Sequence, residues 1–329
     1  MARVDDLPGF ILAAAGAAVL TGVAYLFGSA TPLPDPAVCL PAPHAWPLYP
    51  PVACILNFAL LLVIGGAMVV TPSLTLLLVI GGAAAIVNRQ FNLEQGTSAL
   101  GASFFLVATA PVPALTQGLS GGMFMALAII AGLFYLFRNY ERTDTARPLF
   151  ITGTLMGWGF PFDYAFIFPA VGMALAAATL RELNVKSACA YIFGLLTPLV
   201  ILLGFGAADF SDFTFTNPYA RSFDYPWPTV ACAAVTTLTS LMLLMRQAVV
   251  PNNQSSHSAA LNRGVNVLLL VMMASMAVDC CNIQLYLPAV NMLAGFVISG
   301  IAGDRRFSSS GLLIFVLITL YIILFCFAL

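Results

Sequence analysis

Long apolar runs, separated by short polar connections, extend along almost the whole chain. A helix crosses a bilayer with about 20 apolar residues, and twelve runs reach or approach that length. They lie near residues 8–28, 52–71, 73–88, 98–113, 118–137, 148–160, 163–180, 187–206, 229–247, 264–279, 285–302 and 309–328. The pattern predicts an all-α fold, a polytopic transmembrane bundle of about 11 to 12 membrane segments. A single integral membrane domain would cover residues 1–329.

Composition supports this class of protein and excludes others. Of the 329 residues, 61% are hydrophobic and 8% are charged, with a mean hydropathy of +0.98, whereas soluble domains carry roughly a quarter charged residues. The expected partner is therefore the lipid bilayer. A net charge of −1 and the lack of any basic run argue against a nucleic-acid partner.

Recognisable cofactor and metal motifs do not occur. The seven cysteines show no CxxC spacing, and neither histidine has a second ligand at metal-binding spacing. The P-loop, GxGxxG, HExxH and GxSxG motifs are missing as well. We predict no metal site from spacing and name no cofactor. Glycine pairs at 65–66, 81–82 and 121–122 predict close helix packing.

Charge placement predicts the orientation. Two long connections, the proline-rich loop 29–51 and the acidic, aromatic loop 207–228, carry only Arg221 between them. The positive-inside rule places these loops outside and the basic connections, including loop 248–263, in the cytoplasm. Twelve crossings would put the N-terminus outside together with Arg3. If residues 52–71 dip in or lie along the interface, about eleven crossings remain and the N-terminus is inside, which is the interpretation we prefer.

Asp163 is the most unusual charged residue, since it lies in the apolar stretch TLMGWGFPFDYAFIFPAV. The flanking runs 148–160 and 163–180 meet at Pro161, and such a break at lipid depth needs cover from protein or a water-filled cavity. A charge at that depth normally faces a cavity or a partner, which makes Asp163 a candidate catalytic residue. Alternatively, Asp163 caps the helix that starts at Tyr164.

Asp279 is a second candidate on the same predicted side. It lies in MAVDCCNIQLYLP, ahead of Asn282 and Gln284, and could form a substrate-binding polar site with Arg221. The structural alternative is a set of helix-end polar residues that face lipid headgroups. The acids on the opposite side are interpreted as solvated partners of neighbouring arginines: Glu94, Glu141, Asp144, Glu182 and Asp304.

The order of segments from Arg147 to about residue 205 resembles the central part of the glycosyltransferase C superfamily. A basic residue, a short glycine-containing helix, a break, a returning helix, a basic turn and another helix follow one another, and LYLPAVNMLAGFVISGIAGDRR is similar to the late helix of those enzymes. Over nearly its full length the chain also resembles an uncharacterised family of bacterial integral membrane proteins. That similarity rests on Pro47-Leu48-Tyr49, Asn88-Arg89 and the LP-containing late helix.

The superfamily resemblance implies transfer of a sugar from a polyprenyl-phosphate donor at the outer face of a bacterial inner membrane. In that family an acid in the first outer loop acts as base or metal ligand, and Asp35 occupies the matching loop here. A basic residue near the late helix would hold the phosphate, and Arg221 could take that role because Leu285 precedes Tyr286.

Three functions remain open from the sequence. The first is a glycosyltransferase-like enzyme that uses Asp35 or Asp163 as base or metal ligand. The second is a non-catalytic scaffold or lipid-binding component of an envelope-assembly complex. The third is a transporter, for which the broken helices near Asp163 are the argument.

Overall fold

The structure is a computed structural model that describes residues 72–91, 93, 98–112, 115, 120–140, 145–160, 163–204, 225–249, 256–302, 316, 317 and 319–324. Within these ranges every regular element is helical, which confirms the predicted all-α class. The apolar runs near 8–28 and 52–71, and the loop 29–51, lie outside the described residues.

Nine helices of twelve or more residues form the described bundle. They are α1 Pro72–Phe91, α2 Ser98–Thr109, α3 Gly121–Arg138, α4 Ala146–Gly157, α5 Ile167–Thr179, α6 Val185–Gly204, α7 Trp227–Val249, α8 Ser256–Val278 and α9 Ile283–Ala302. Two 3-10 turns, Tyr164–Phe166 and Cys280–Asn282, lead into α5 and α9. Residues 316, 317 and 319–324 are helical too.

Five of these helices are long and apolar enough to cross a membrane: Gly121–Arg138, Val185–Gly204, Trp227–Gln247, Ser256–Val278 and Cys280–Ser299. The chain therefore has the character of a multi-pass membrane protein. By contrast, α4 has 12 residues and α5 has 13, so each is only about 18 to 20 Å long. The predicted break between these two segments is confirmed.

The predicted loop 248–263 is wrong in its second half, because α8 begins at Ser256. Tertiary contacts hold these polar residues in the helix. The Asn262 amide donates a hydrogen bond to the Leu93 carbonyl at 2.7 Å. The His257 ring packs edge-on against Tyr140, with centroids 5.1 Å apart.

Glycines allow α4 and α6 to touch through their backbones. A Cβ atom on Gly157 would lie 2.5 Å from the Leu195 carbonyl oxygen, and one on Gly153 would overlap the Tyr191 carbonyl. Such small-residue contacts let helices approach closely without a hydrophobic driving force between them. Of the glycines that the sequence singled out, Gly122 has a contact of this kind with the start of α9, while Gly82 faces open space.

The described basic residues gather at one end of the bundle, at the ends of α1, α3 and α7, the starts of α4, α6 and α8, and the α5–α6 turn. They are Arg89, Arg138, Arg147, Arg181, Lys186, Arg246 and Arg263. We call this the basic end. Asp163 and Asp279 lie at the opposite end, where α4, α5, α8 and α9 change direction.

Candidate functional site

Asp163 caps the chain where it turns back after α4. Its carboxylate Oδ1 accepts a hydrogen bond of 2.8 Å from the Ala165 backbone N–H, with Asp163 in an extended conformation. This is the geometry of an N-cap, which satisfies a donor of the first turn. The capping interpretation of Asp163 is therefore confirmed, and the side chain is buried at 3% exposure.

A second change of direction brings in Asp279. Helix α8 ends at Val278, the turn Cys280–Asn282 follows, and α9 starts at Ile283. The Asn282 N–H donates to the Asp279 carbonyl at 3.0 Å. Pro288 lies inside α9, and a proline there removes one backbone donor from the helix. Asp279 is held at this corner by local backbone bonds.

One oxygen of Asp279 receives three hydrogen bonds. Oδ2 accepts from the Tyr286 hydroxyl at 2.8 Å, from the Asn282 amide at 2.7 Å and from the Tyr164 hydroxyl at 3.1 Å. The Asn282 amide also donates to the Tyr164 hydroxyl at 2.7 Å. Hydrogen bonds to an ionised carboxylate are stronger than those between neutral groups, so this network fixes the side chain of Asp279 firmly.

The other oxygen, Asp279 Oδ1, is buried and has no hydrogen-bond partner in the part of the chain that the structure describes. If Asp279 is ionised, Oδ1 lacks a donor. A buried polar atom without a partner costs roughly 1–3 kcal/mol, more when it is charged.

Asp163 and Asp279 both lie near Tyr286. The Tyr286 hydroxyl bonds to Asp279 and also lies within electrostatic range of Asp163. The Tyr286 ring is fully buried and packs edge-on against Phe168 of α5, with centroids 5.9 Å apart. The structure therefore brings two of the four candidate residues together. Asp35 and Arg221 lie outside the described residues, so their placement stays a prediction.

The cluster lies inside the bundle. Asp279 is 3% exposed, so its carboxylate points toward other parts of the chain.

Sequence reasoning missed Tyr164 and Tyr286 as partners of Asp279, although it noted Asn282. A signal for two of the three was present. Asp279, Asn282 and Tyr286 follow one another at spacings of three and four residues, which places them on one side of a helix. Nothing local points to Tyr164, which is 115 residues away from Asp279 in the chain.

A separate polar chain crosses the middle of the bundle. The Asn291 amide donates to the Thr109 hydroxyl at 3.3 Å, and its oxygen accepts from the Thr236 hydroxyl at 3.0 Å. Thr236 also bonds to the Tyr321 hydroxyl. All four side chains are buried, and together they connect α2, α7, α9 and the helical residues 319–324. Buried hydrogen bonds of this kind between helices specify how they pack.

Glu182 at the basic end contradicts the expectation of a solvated acid. It is 4% exposed, and among the described residues neither carboxylate oxygen has a hydrogen-bond partner. Backbone bonds hold it in place, since its N–H donates to the Ala177 carbonyl and its carbonyl accepts from the Ser187 hydroxyl. Burial raises the pKa of Glu182 from 4.5 to about 7.

Comparisons with models of protein families, with curated proteins and with solved structures found no match. The arguments about function therefore rest on the residues and on their geometry. The strongest feature among them is the Asp279 cluster, defined here as Tyr164, Asp279, Asn282 and Tyr286.

Proposed function

We propose that this chain is a multi-pass protein of the bacterial inner membrane that binds a polyprenyl-phosphate-linked sugar at the outer end of its bundle. Asp279 is the main polar contact for the ligand. The observation that carries the proposal is the buried Asp279 carboxylate, in which Oδ2 is fixed by three donors while Oδ1 has no partner among the described residues. A fixed carboxylate with an unpaired oxygen suits a ligand rich in hydroxyl groups, provided that the site opens to admit it.

The architecture supports a glycosyltransferase-C-like fold. In the resemblance, the late helix begins around a tyrosine and a proline, which correspond here to Tyr286 and Pro288. The hydroxyl of that tyrosine donates directly to Asp279. The short pair α4 and α5, with its break at the outer end, matches the expected order of a short helix, a break and a returning helix.

The same geometry suits general-base chemistry. A base must reach the proton it removes at about 2.6–3.2 Å, and Oδ1 is the only oxygen of Asp279 without a partner. An acceptor hydroxyl that donates to Oδ1 would lose its proton to Asp279 while its oxygen attacks the anomeric carbon of the sugar, and polyprenyl phosphate would leave. In this proposal Arg221 of the outer loop holds the phosphate, in place of the basic residue that the resemblance implies near the late helix, and Asp35 is the acid of the first loop.

A second candidate is a lipid-binding or scaffolding component that does not catalyse transfer. The burial of both acids favours it, since Asp163 and Asp279 are each 3% exposed. Asp163 in particular serves as a cap, which is a structural role. Such a protein would bind the lipid through the same cluster but would not turn it over.

The test is binding and turnover in lipid nanodiscs. We would measure binding of a polyprenyl-phosphate-linked sugar by native mass spectrometry, with wild-type protein and Asp279→Asn. The variant keeps the shape and replaces one carboxylate oxygen by an amide. Loss of a hydrogen bond to a charged group costs about 1.5–3 kcal/mol, so we expect binding about tenfold to a hundredfold weaker.

Glu182→Gln is the matched control, since it makes the same kind of change in a buried acid at the opposite end of the bundle. It should bind the lipid as the wild type does. Equal binding by wild type and Asp279→Asn would refute the proposal. Binding without transfer to any hydroxyl acceptor would select the lipid-binding role over the enzyme.

A further inference from the structure

The Tyr164 hydroxyl makes two hydrogen bonds inside the Asp279 cluster. It accepts from the Asn282 amide at 2.7 Å and donates to Asp279 Oδ2 at 3.1 Å. The Asn282 amide also donates to Oδ2 at 2.7 Å, so the three groups form a closed triangle. A hydroxyl can act as donor and acceptor at once, and a sugar hydroxyl in the same place would have the same two partners.

We propose that the Tyr164 hydroxyl occupies a subsite for one hydroxyl group of the ligand, and that the ligand binds by displacing it. This inference rests on the proposed function, since it requires a ligand head that carries hydroxyl groups. The subsite consists of the Asn282 amide as donor and Asp279 Oδ2 as acceptor. Oδ1 stays available for the other hydroxyl, which the proposed function assigns to it.

The other two donors to Oδ2 are fixed by the fold. Asn282 lies in the turn that joins α8 to α9 and is 3% exposed. Tyr286 lies in the first turn of α9, is fully buried and packs edge-on against Phe168. Either donor could leave the carboxylate only if the corner between α8 and α9 came apart. Tyr164 is the donor that comes from outside this corner.

Tyr164 can leave the carboxylate while the corner stays intact. Its side chain is half-buried, and its bond to Oδ2 is the longest of the three. A rotation about its Cα–Cβ bond would take the ring out of the cluster. The cap between Asp163 and the Ala165 N–H needs no change for this movement. Displacement of Tyr164 therefore provides the opening that a buried site needs.

Displacement weakens the observed affinity for the ligand. The two bonds of the Tyr164 hydroxyl must break before a ligand hydroxyl can form them, and a protein whose binding-competent form is a minor state binds more weakly by that fraction. Loss of the Tyr164 hydroxyl would remove one partner from the Asn282 amide and one from Oδ2. It should therefore destabilise the empty protein but tighten ligand binding. A hydroxyl that binds the ligand or only supports the fold would not give these opposite signs.

The experiment measures the affinity for the polyprenyl-phosphate-linked sugar and the thermal unfolding midpoint in nanodiscs, for the wild type and Tyr164→Phe. A hydrogen bond to a charged group changes an equilibrium by about tenfold or more. We therefore expect the variant to bind about tenfold more tightly and to unfold at a lower temperature. Polyprenyl phosphate without a sugar should bind both proteins equally, because it has no sugar hydroxyl to place in the subsite.

Tyr191→Phe is the matched control. It also removes a buried hydroxyl that links two helices, since Tyr191 of α6 donates to the Ala170 carbonyl of α5 at 2.6 Å. This variant should lower the midpoint and leave the affinity unchanged. Tyr286→Phe removes a donor from Oδ2 that the ligand does not replace, so it should lower the midpoint and weaken binding.

A fluorinated tyrosine at position 164 alone follows the ring directly by fluorine NMR. The sugar-linked lipid should shift its signal, and an unchanged signal at saturating lipid would overturn the inference even if Tyr164→Phe does not fold. Equal or weaker binding of the sugar-linked lipid by Tyr164→Phe, or an equal gain for the lipid without sugar, would also overturn it while the proposed function stands. If neither the wild type nor Tyr164→Phe binds the sugar-linked lipid, the proposed function is wrong and so is this inference.

Discussion

The buried acid at the basic end gives a sharp prediction for pH. Within the described ranges, neither carboxylate oxygen of Glu182 has a hydrogen-bond partner, and the residue is 4% exposed. Its pKa is raised from 4.5 to about 7 by burial, so the folded protein holds this proton more tightly than the unfolded chain does. Between these two pH values the folded state binds more protons, and the free energy of unfolding therefore falls as pH rises.

The size of the change in the free energy of unfolding follows from the difference between the two pKa values of Glu182. Each tenfold difference in proton affinity corresponds to about 1.4 kcal/mol, so the interval between 4.5 and about 7 corresponds to about 3 kcal/mol. Below pH 4.5 Glu182 is protonated in both states and does not lower the free energy of unfolding. Above pH 7 the full decrease of about 3 kcal/mol is reached. Glu182→Gln carries no titrating group, so its stability should lack this component of the pH dependence.

The assay is reversible unfolding in bicelles at several values between pH 5 and pH 8, with wild type and Glu182→Gln measured in parallel. All other ionisable groups are common to both proteins, so only the difference between the two curves reports on Glu182. We expect the variant to become more stable relative to the wild type as pH rises. Parallel curves across this range would refute the reasoning, since they would mean that Glu182 titrates at its ordinary pKa in the folded protein.

Three further changes test other parts of the structure. Gly157→Ala places a Cβ 2.5 Å from the Leu195 carbonyl oxygen and should cost about 1–3 kcal/mol in a thermal or denaturant assay, while Gly82→Ala, which faces open space, should cost nothing. Arg181 has a φ of 59°, so Arg181→Gly should stabilise the protein by about 1 kcal/mol, and an unchanged unfolding midpoint would contradict this. Tyr286→Phe removes a 2.8 Å bond to Asp279 and should cost about 1–3 kcal/mol, a loss that should disappear when Asp279 is already replaced by Ala.

The sequence predicted the helical segments well because the bilayer imposes one strong local rule. A spanning segment must satisfy its own backbone and present apolar side chains, and both requirements can be recognised in a short window. The run expected at 118–137 is the helix Gly121–Arg138, and the run expected at 229–247 lies within Trp227–Val249. The predicted start of α8, after a loop that ends at residue 263, was too late. Asn262 and His257 contact residues far away in the chain.

The candidate site was only partly predictable. The cap at Asp163 is a local feature, set by the residue and by the turn that follows it, so the sequence could offer it as one of two interpretations. The partner Tyr164 of Asp279 is separated from it by 115 residues, and only the packing of α5 against α8 brings them together. The burial of Glu182 is likewise a tertiary property that its charged neighbours in sequence did not indicate.

By itself, the sequence determined that this is a helical membrane protein, where most of its helices lie, and that one end of the bundle is basic. These properties follow from hydropathy and charge along the chain, which do not require knowledge of neighbours in space. The tertiary structure alone decided which acids are buried, which oxygen of Asp279 lacks a partner and which glycines carry the helix contacts. Those properties depend on which side of each helix faces another helix, and in a chain that is apolar on nearly every side the hydrophobic pattern does not distinguish protein from lipid.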